Sequence, residues 1–316
     1  MKILVFGSGA IGTIYGYLLA GAGNEVIHFV RESRAGQLQD GIEISLLDGR
    51  DGKNIKEIRD SYKLRTITAF KEQEAYDLIL VSVKHGSLDG ALEVLKNNPV
   101  TGDILFFNGL WEDYSHMDGF LDRSRYLWGY PVAGGNIDYS RRKLEGAVLD
   151  HIILGEIDGK ITDRYNKIEK IFSGAGIKAE APRNVLHWIW VHMAINAGII
   201  STAMKYGSAA AFMDSAKALR EGVNTVKETL RIVEAKGVSL EDYRDEVRMF
   251  HMPPVIAGTL FKFFFRTNVL SRRIMELHNN PEDLYELCRD VYNTGMQLKI
   301  STPLFEEKKE YFLNKI

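Results

Sequence analysis

A doubly wound, mostly parallel α/β domain followed by an all-α domain is the fold class this sequence predicts, on three observations. Residues 1–6 (MKILVF) form a short apolar run that passes at once into Gly7-Ser8-Gly9-Ala10-Ile11-Gly12. Near-continuous apolar runs rich in β-branched residues recur as far as about residue 181, as buried parallel strands read. From Pro182-Arg183-Asn184 onward those runs end and helical periodicity takes over. The expected domains are therefore residues 1–181 and 182–316.

The chain opens as strand, glycine turn, helix (Thr13 to Ala22) and second apolar run (Val26 to Val30), which is the order of a βαβ unit. Gly7 lets the chain turn sharply off the strand. Gly9 carries no Cβ, so a pyrophosphate can approach the backbone, and Gly12 lets the helix pack close to the sheet. The N–H groups around Ala10 and Ile11, with the helix dipole, favour the phosphate charge. These positions predict a Rossmann dinucleotide site. The residue closing the second strand selects the nucleotide: a carboxylate there accepts from the ribose hydroxyls of NAD and repels a 2′-phosphate. Here it is Arg31, whose guanidinium fork suits a phosphate, and the expected cofactor is NADP(H). A solvated surface arginine is the plain alternative.

Beyond Arg34 a polar, glycine-dotted region runs from Gly36 to Asp60, with Ile42-Glu43-Ile44-Ser45-Leu46 alternating as a half-exposed strand does. Tyr76 to Val83 reads as a central parallel strand, and Lys84 follows its carboxyl end, where ligands bind in open parallel sheets. Leu88 to Asn97 is a predicted helix. Asp103 to Phe107 is the next strand, with Asn108-Gly109 after it. Tyr126 to Val132 and His151 to Leu154 are further strands, and Ala133-Gly134-Gly135-Asn136 is a loop between elements. Tyr165 to Ser173 is a helix stopped at Gly174-Ala175-Gly176, and a last strand runs towards Ala181. In the second domain the predicted helices cover Val185 to Met204, Asp214 to Ala235, Glu241 to Phe250, Pro254 to Leu277 as one or two, and Glu282 to Leu298.

Composition narrows the function classes. Of 316 residues, 45% are hydrophobic and 26% charged, and the net charge of -2 gives no signal for nucleic acid or an acidic membrane surface. One cysteine, Cys288, precludes an internal disulfide and suits a reducing cytosol. The glycine motif within the first strand leaves no room for a secretory signal, and Val255 to Phe265, interrupted by Lys262, is too short to span a bilayer. A cytoplasmic protein is expected, with no membrane partner. Phe261, Phe263, Phe264 and Phe265 suit a core or a homodimer contact through the helical domain. His187, His251 and His278 are scattered without metal spacing, so no metal is expected.

Taken together, Gly7 to Gly12, Arg31, Val83-Lys84, Asn108-Gly109 and Trp190-Val191-His192-Met193-Ala194-Ile195-Asn196 make the chain resemble the ketopantoate reductase (2-dehydropantoate 2-reductase) family over nearly its whole length. The resemblance implies a Rossmann domain and a helical domain with the active site in the cleft. It implies that Arg31 and Lys84 contact NADPH and that Asn108 lies between nicotinamide and substrate. The family's proton-donating lysine, four residues before the interdomain asparagine, falls on His192. The later asparagine falls on Ile200, and the serine and glutamate that hold substrate are not recognisable, Thr259 and Glu282 or Asp283 being the loosest candidates.

Read from the residues, Trp188, His192 and Asn196 share a helix face. An imidazole titrating near neutrality can donate a proton, and Asn196 can hydrogen-bond a substrate hydroxyl or carboxylate. A core histidine is the competing reading of His192. The expected activity is an NADPH-dependent reduction of a small 2-oxo acid or related carbonyl compound, with His192 or Lys84 as proton donor and Asn108 and Asn196 orienting the carbonyl. A non-catalytic NADP(H)-binding protein and an opine-type dehydrogenase of an imine or amine are the alternatives.

Overall fold

The structure, a computed structural model, describes residues 1–52, 54–70, 74–98, 100–278 and 280–313, and the backbone alone at His85. The chain divides within the first turn of one long helix into two compact units, Met1–Leu186 and His187–Ile316.

In the first unit the elements are β1 (Lys2–Phe6), α1 (Ala10–Gly21), β2 (Glu25–Phe29), α2 (Glu32–Leu38), β3 (Ile42–Asp48), β4 (Lys56–Tyr62), β5 (Thr66–Ile67), β6 (Ala75–Val81), α3 (Leu88–Asn97), β7 (Thr101–Phe106), α4 (Ser115–Asp118), β8 (Tyr126–Asp138), β9 (Lys143–Gly155), α5 (Asp163–Gly174) and β10 (Lys178–Glu180). They build one mixed sheet in the order β4-β3-β9-β8-β7-β6-β1-β2-β5, with β10 pairing β9. Its central block, β8 through β5, is parallel throughout. The chain leaves β1 for β2 on one side and later returns to β6 on the other. That reversal makes the carboxyl ends of β1 and β6 the topological switch point, where ligands bind in such sheets. The strand cores Ile3–Val5 and Leu78–Val81 are fully buried, which is why those segments read as unbroken apolar runs.

One expectation is corrected. Ala133 to Asn136 is not a loop but the middle of β8, which pairs antiparallel with β9 in a hairpin of two 13-residue strands. Glycine there supplies clearance rather than a turn. A Cβ on Gly135 would lie 3.1 Å from Ile14 Cδ1, and one on Gly146 opposite would lie 2.8 Å from the same atom. The pair lets α1 pack directly on the hairpin. The ladder slips between Pro131 and Ala133, where proline has no N–H to give.

His28 on β2 is fully buried beneath the glycine turn. Its Nδ1 lies 3.3 Å from the Gly7 carbonyl oxygen and its Nε2 3.1 Å from the Tyr62 hydroxyl. The carbonyl only accepts, so Nδ1 donates and Nε2 accepts from the tyrosine.

In the second unit, α6 (Val185–Lys205) is followed by α7 (Ala209–Asp214), α8 (Ala216–Ala235), α9 (Arg244–His251), α10 (Pro254–Thr267), α11 (Val269–Leu277), α12 (Pro281–Gln297) and α13 (Pro303–Glu306). The helix expected from Asp214 begins after Ser215, whose hydroxyl accepts from Ala218 N and caps α8. Gly198 of α6 meets Val226 of α8, where a Cβ would lie 2.7 Å away, and the Thr229 hydroxyl donates to the Ala194 carbonyl at 2.7 Å. The hydroxyls of Ser201 and Thr202 donate back to Gly198 O, as expected of helix-interior hydroxyls. Cys288 is buried and unoxidised. Among the described residues α6 alone is long and apolar enough to cross a bilayer, and 78% of that window is buried in the protein, as in a core helix.

Burial lowers the His28 pKa to about 4. Above the unfolded pKa of about 6.5 both states are neutral and the native contacts hold in full; as pH falls towards 4 only the unfolded chain takes up the proton. Stability should therefore drop between pH 6.5 and 4, by up to roughly 3 kcal/mol from this residue. Urea denaturation of wild type and His28→Gln at pH 7 and pH 4.5 checks it. The wild type should lose more than the variant; equal losses would remove His28 from the account.

Candidate functional site

The carboxyl ends of four adjacent strands, β2, β1, β6 and β7, carry the candidate residues. Gly7 leaves β1 at φ +120, and a Cβ on it would sit 2.5 Å from the Ser82 carbonyl oxygen at the end of β6. Only glycine fits that backbone and that space. Gly12 is tight as well, with Gly7 O and Val5 Cγ1 each 3.2 Å from a built Cβ. Gly9 is the opposite case. It is exposed, at φ -67, with no atom within 4 Å of a built Cβ. It is also the N-cap of α1, where among the described residues no side chain caps the first turn of Ala10, Ile11 and Gly12, and no acidic residue stands in that turn. An open approach, unanswered amides and the positive end of a helix dipole fit a pyrophosphate.

Asn108, just beyond β7, is held from two directions. Its Nδ2 donates to the Val83 carbonyl at 2.5 Å, and the buried Trp128 indole donates to its backbone oxygen at 2.7 Å. The residue is 5% exposed, and its Oδ1 is buried without a hydrogen-bond partner. A fixed, unsatisfied acceptor at a strand end costs stability unless a ligand donor answers it. Lys84, after β6, is exposed, and its carbonyl accepts from Ser87 N as the chain turns into α3. Arg31, at the end of β2, is exposed, and among the described residues nothing pairs with its guanidinium. Gly7, Gly9, Ala10, Ile11, Gly12, Lys84, Asn108 and Arg31 thus come to the carboxyl ends of β1, β2, β6 and β7.

His192 and Asn196 belong to the second unit. Both are half-buried on α6, one turn apart. The His192 ring stacks on Trp188 at 4.9 Å and 10°, and the Trp188 indole donates to Glu246 Oε1 at 2.8 Å. Burial, with His278 adding to it, lowers the His192 pKa to about 4. An ordinary histidine, titrating near 6.5, keeps a minor imidazolium fraction at neutral pH; desolvation removes that fraction here and leaves the ring neutral. Among the described residues no group of three or more His, Cys, Asp or Glu side chains is gathered as a metal site needs.

The profile described as Ketopantoate reductase PanE/ApbA matches residues 3–146. The 2-dehydropantoate 2-reductase of Archaeoglobus fulgidus is 26% identical over 63% of this chain and 62% of its own length. That of Pyrococcus abyssi is 23% identical over 76% of each chain. The profile match covers less than half of the chain and makes residues 3–146 similar to the ketopantoate reductase family. The first of these alignments covers less than two thirds of the relative's length. The fold is similar along the whole chain to that of D-mandelate dehydrogenase, solved with NADH and anilino(oxo)acetate, which superposes over 99% of this chain and 97% of that one, with a TM-score of 0.71 at 14% identity.

Sequence reasoning passed over Tyr139. It sits just beyond β8 at the hairpin tip, and its hydroxyl donates to the Ser8 carbonyl in the glycine turn at 2.8 Å. The signal was present: Asp138-Tyr139-Ser140-Arg141 is a turn sequence between two β-rich runs, and Asp138 Oδ1 accepts from Ser140 N and Arg141 N.

The two glycines separate fold from binding. Gly7→Ala should cost more than about 2 kcal/mol, because the backbone angle and the Ser82 carbonyl both oppose a side chain. Gly9→Val should cost less than Gly7→Ala, about 1 kcal/mol from the poorer N-cap, yet lose nucleotide binding. Thermal melts beside a dinucleotide titration check both. A Gly9→Val protein that binds normally would remove the turn from the site.

Proposed function

We propose that this chain is an NADPH-dependent reductase of a small 2-oxo acid or related carbonyl compound, working in a reducing cytosol. The observation that carries the reading is Asn108, a buried carboxamide pinned by Val83 and Trp128 with one acceptor unanswered, beside a glycine turn open to a pyrophosphate. In this reading the amides of Ala10 to Gly12 hold the pyrophosphate, Arg31 takes the 2′-phosphate, and Lys84 and Asn108 border the nicotinamide end. When bound, the nicotinamide supplies the hydride for the carbonyl carbon. Asn108 Oδ1 accepts an N–H or O–H from cofactor or substrate and fixes its orientation. His192, neutral, donates an N–H hydrogen bond to the carbonyl oxygen, as a neutral imidazole can, Lys84 or solvent gives the proton that turns the alkoxide into the alcohol, and Asn196 binds a second polar group of the substrate. The exposed Val255, Ile256, Leu260 and Phe263 of α10 support self-association through the helical unit.

The test is NADPH oxidation, followed by absorbance, with a panel of 2-oxo acids and imines. Turnover with a 2-oxo acid supports the reading, and turnover with imines alone points to an opine-type enzyme. The neutral His192 favours a second reading, a non-catalytic NADP(H)-binding protein, which predicts NADPH binding without turnover of any member of the panel.

The protonation state gives a further check. A neutral donor with a pKa of about 4 predicts that His192 adds no fall in kcat between pH 6 and 8. His192→Ala should lower kcat by about 10²-fold with NADPH affinity nearly unchanged. A wild-type rate that falls through a pKa near 6.5, with the fall absent in His192→Ala, would restore the imidazolium as the acid.

A further inference from the structure

Four arginines stand around the glycine turn, on α2 and on the hairpin tip. Two are neutralised where they lie: Arg141 reaches Asp138 at 3.7 Å, and Arg142 pairs with Asp40. The other two, Arg31 and Arg34, have no carboxylate partner among the described residues, and they stand three positions apart, Arg31 as the N-cap of α2 and Arg34 in its first turn. Arg34 is held in a particular way. Its guanidinium carbon lies 3.7 Å from the centre of the Tyr139 ring, and the Tyr139 hydroxyl is tied to Ser8 O of the turn. The ring holds the flat face of the guanidinium. All five N–H groups lie in its plane, so stacking consumes none of them. Gln37 accepts from Nη1 at 2.6 Å. Among the described residues the Nε–Nη2 edge, which grips a phosphate bidentately, has no hydrogen-bond partner.

We propose that Arg34, laid on Tyr139, is a second recognition residue for a phosphomonoester on the adenosine ribose, acting with Arg31. The proposal rests on the NADP(H) reading above and deepens it. The hairpin is then part of the nucleotide site: its tip carries the platform on which the second arginine rests, and the Ser8 contact sets that platform against the turn. Arg31 alone would be an exposed, unbraced side chain that loses its rotamer freedom on binding. Arg34 is preorganised and loses less.

Calorimetric titration of NADPH and NADH into wild type, Arg31→Ala, Arg34→Ala, Arg34→Lys and Tyr139→Leu tests it, with melting temperatures recorded for each. Arg34→Ala should weaken NADPH about tenfold and leave NADH within twofold. Arg34→Lys should recover only part of the loss, since an ammonium neither stacks nor forks. Tyr139→Leu should show a smaller loss, again confined to NADPH. A wild-type preference for NADPH that survives Arg34→Ala overturns this assignment and leaves the cofactor reading standing. A wild type that binds NADPH no more tightly than NADH overturns both.

Discussion

The carboxyl end of β1 cannot be built any other way. Gly7 turns at φ +120 with the Ser82 carbonyl oxygen 2.5 Å from where its side chain would begin. That contact seats the first strand against the end of β6, and the position of everything near the turn follows. Gly12 packs α1 onto the turn, His28 braces the Gly7 carbonyl from below, and Tyr139 hydrogen-bonds Ser8 from the hairpin tip. The helix that starts at Ala10 is thereby aimed with its uncapped amides at an open space in front of Gly9. An anion at this end of the sheet would be met by backbone geometry, with no charged side chain needed.

Charge enters around that backbone site in graded form. Arg31 is exposed, Arg34 is laid on an aromatic ring, and Arg141 and Arg142 are cancelled by neighbouring carboxylates. On α6 the chemistry runs the other way. There burial, with His278 adding to it, lowers the His192 pKa, so the ring stacked on Trp188 is uncharged.

The βαβ opening was legible because each of its signals is local. A strand, three glycines at fixed spacing and a helix leave marks on adjacent residues, and β6, β7 and α3 were readable as apolar runs and periodicity. The hairpin of β8 and β9 was hidden because glycine has two meanings. In Ala133-Gly134-Gly135-Asn136 the sequence resembles a loop, and only the packing of Ile14 on Gly135 and Gly146 reveals a strand thinned for a helix. The roles of Tyr139 and Trp128 depend on partners 131 and 20 residues away, which no local pattern encodes. His192 was visible as a position, but its charge depends on burial, a tertiary property.

The central claim is that the first-turn amides of α1 bind the pyrophosphate. Amide hydrogen exchange across Gly7–Thr13, with and without saturating NADPH, measures it directly. The amides of Ala10, Ile11 and Gly12, which no side chain among the described residues caps, should become strongly protected on binding, while the strand amides of β1, already paired in the sheet, should change little. NADPH bound at saturation with exchange at those three amides unchanged would contradict it.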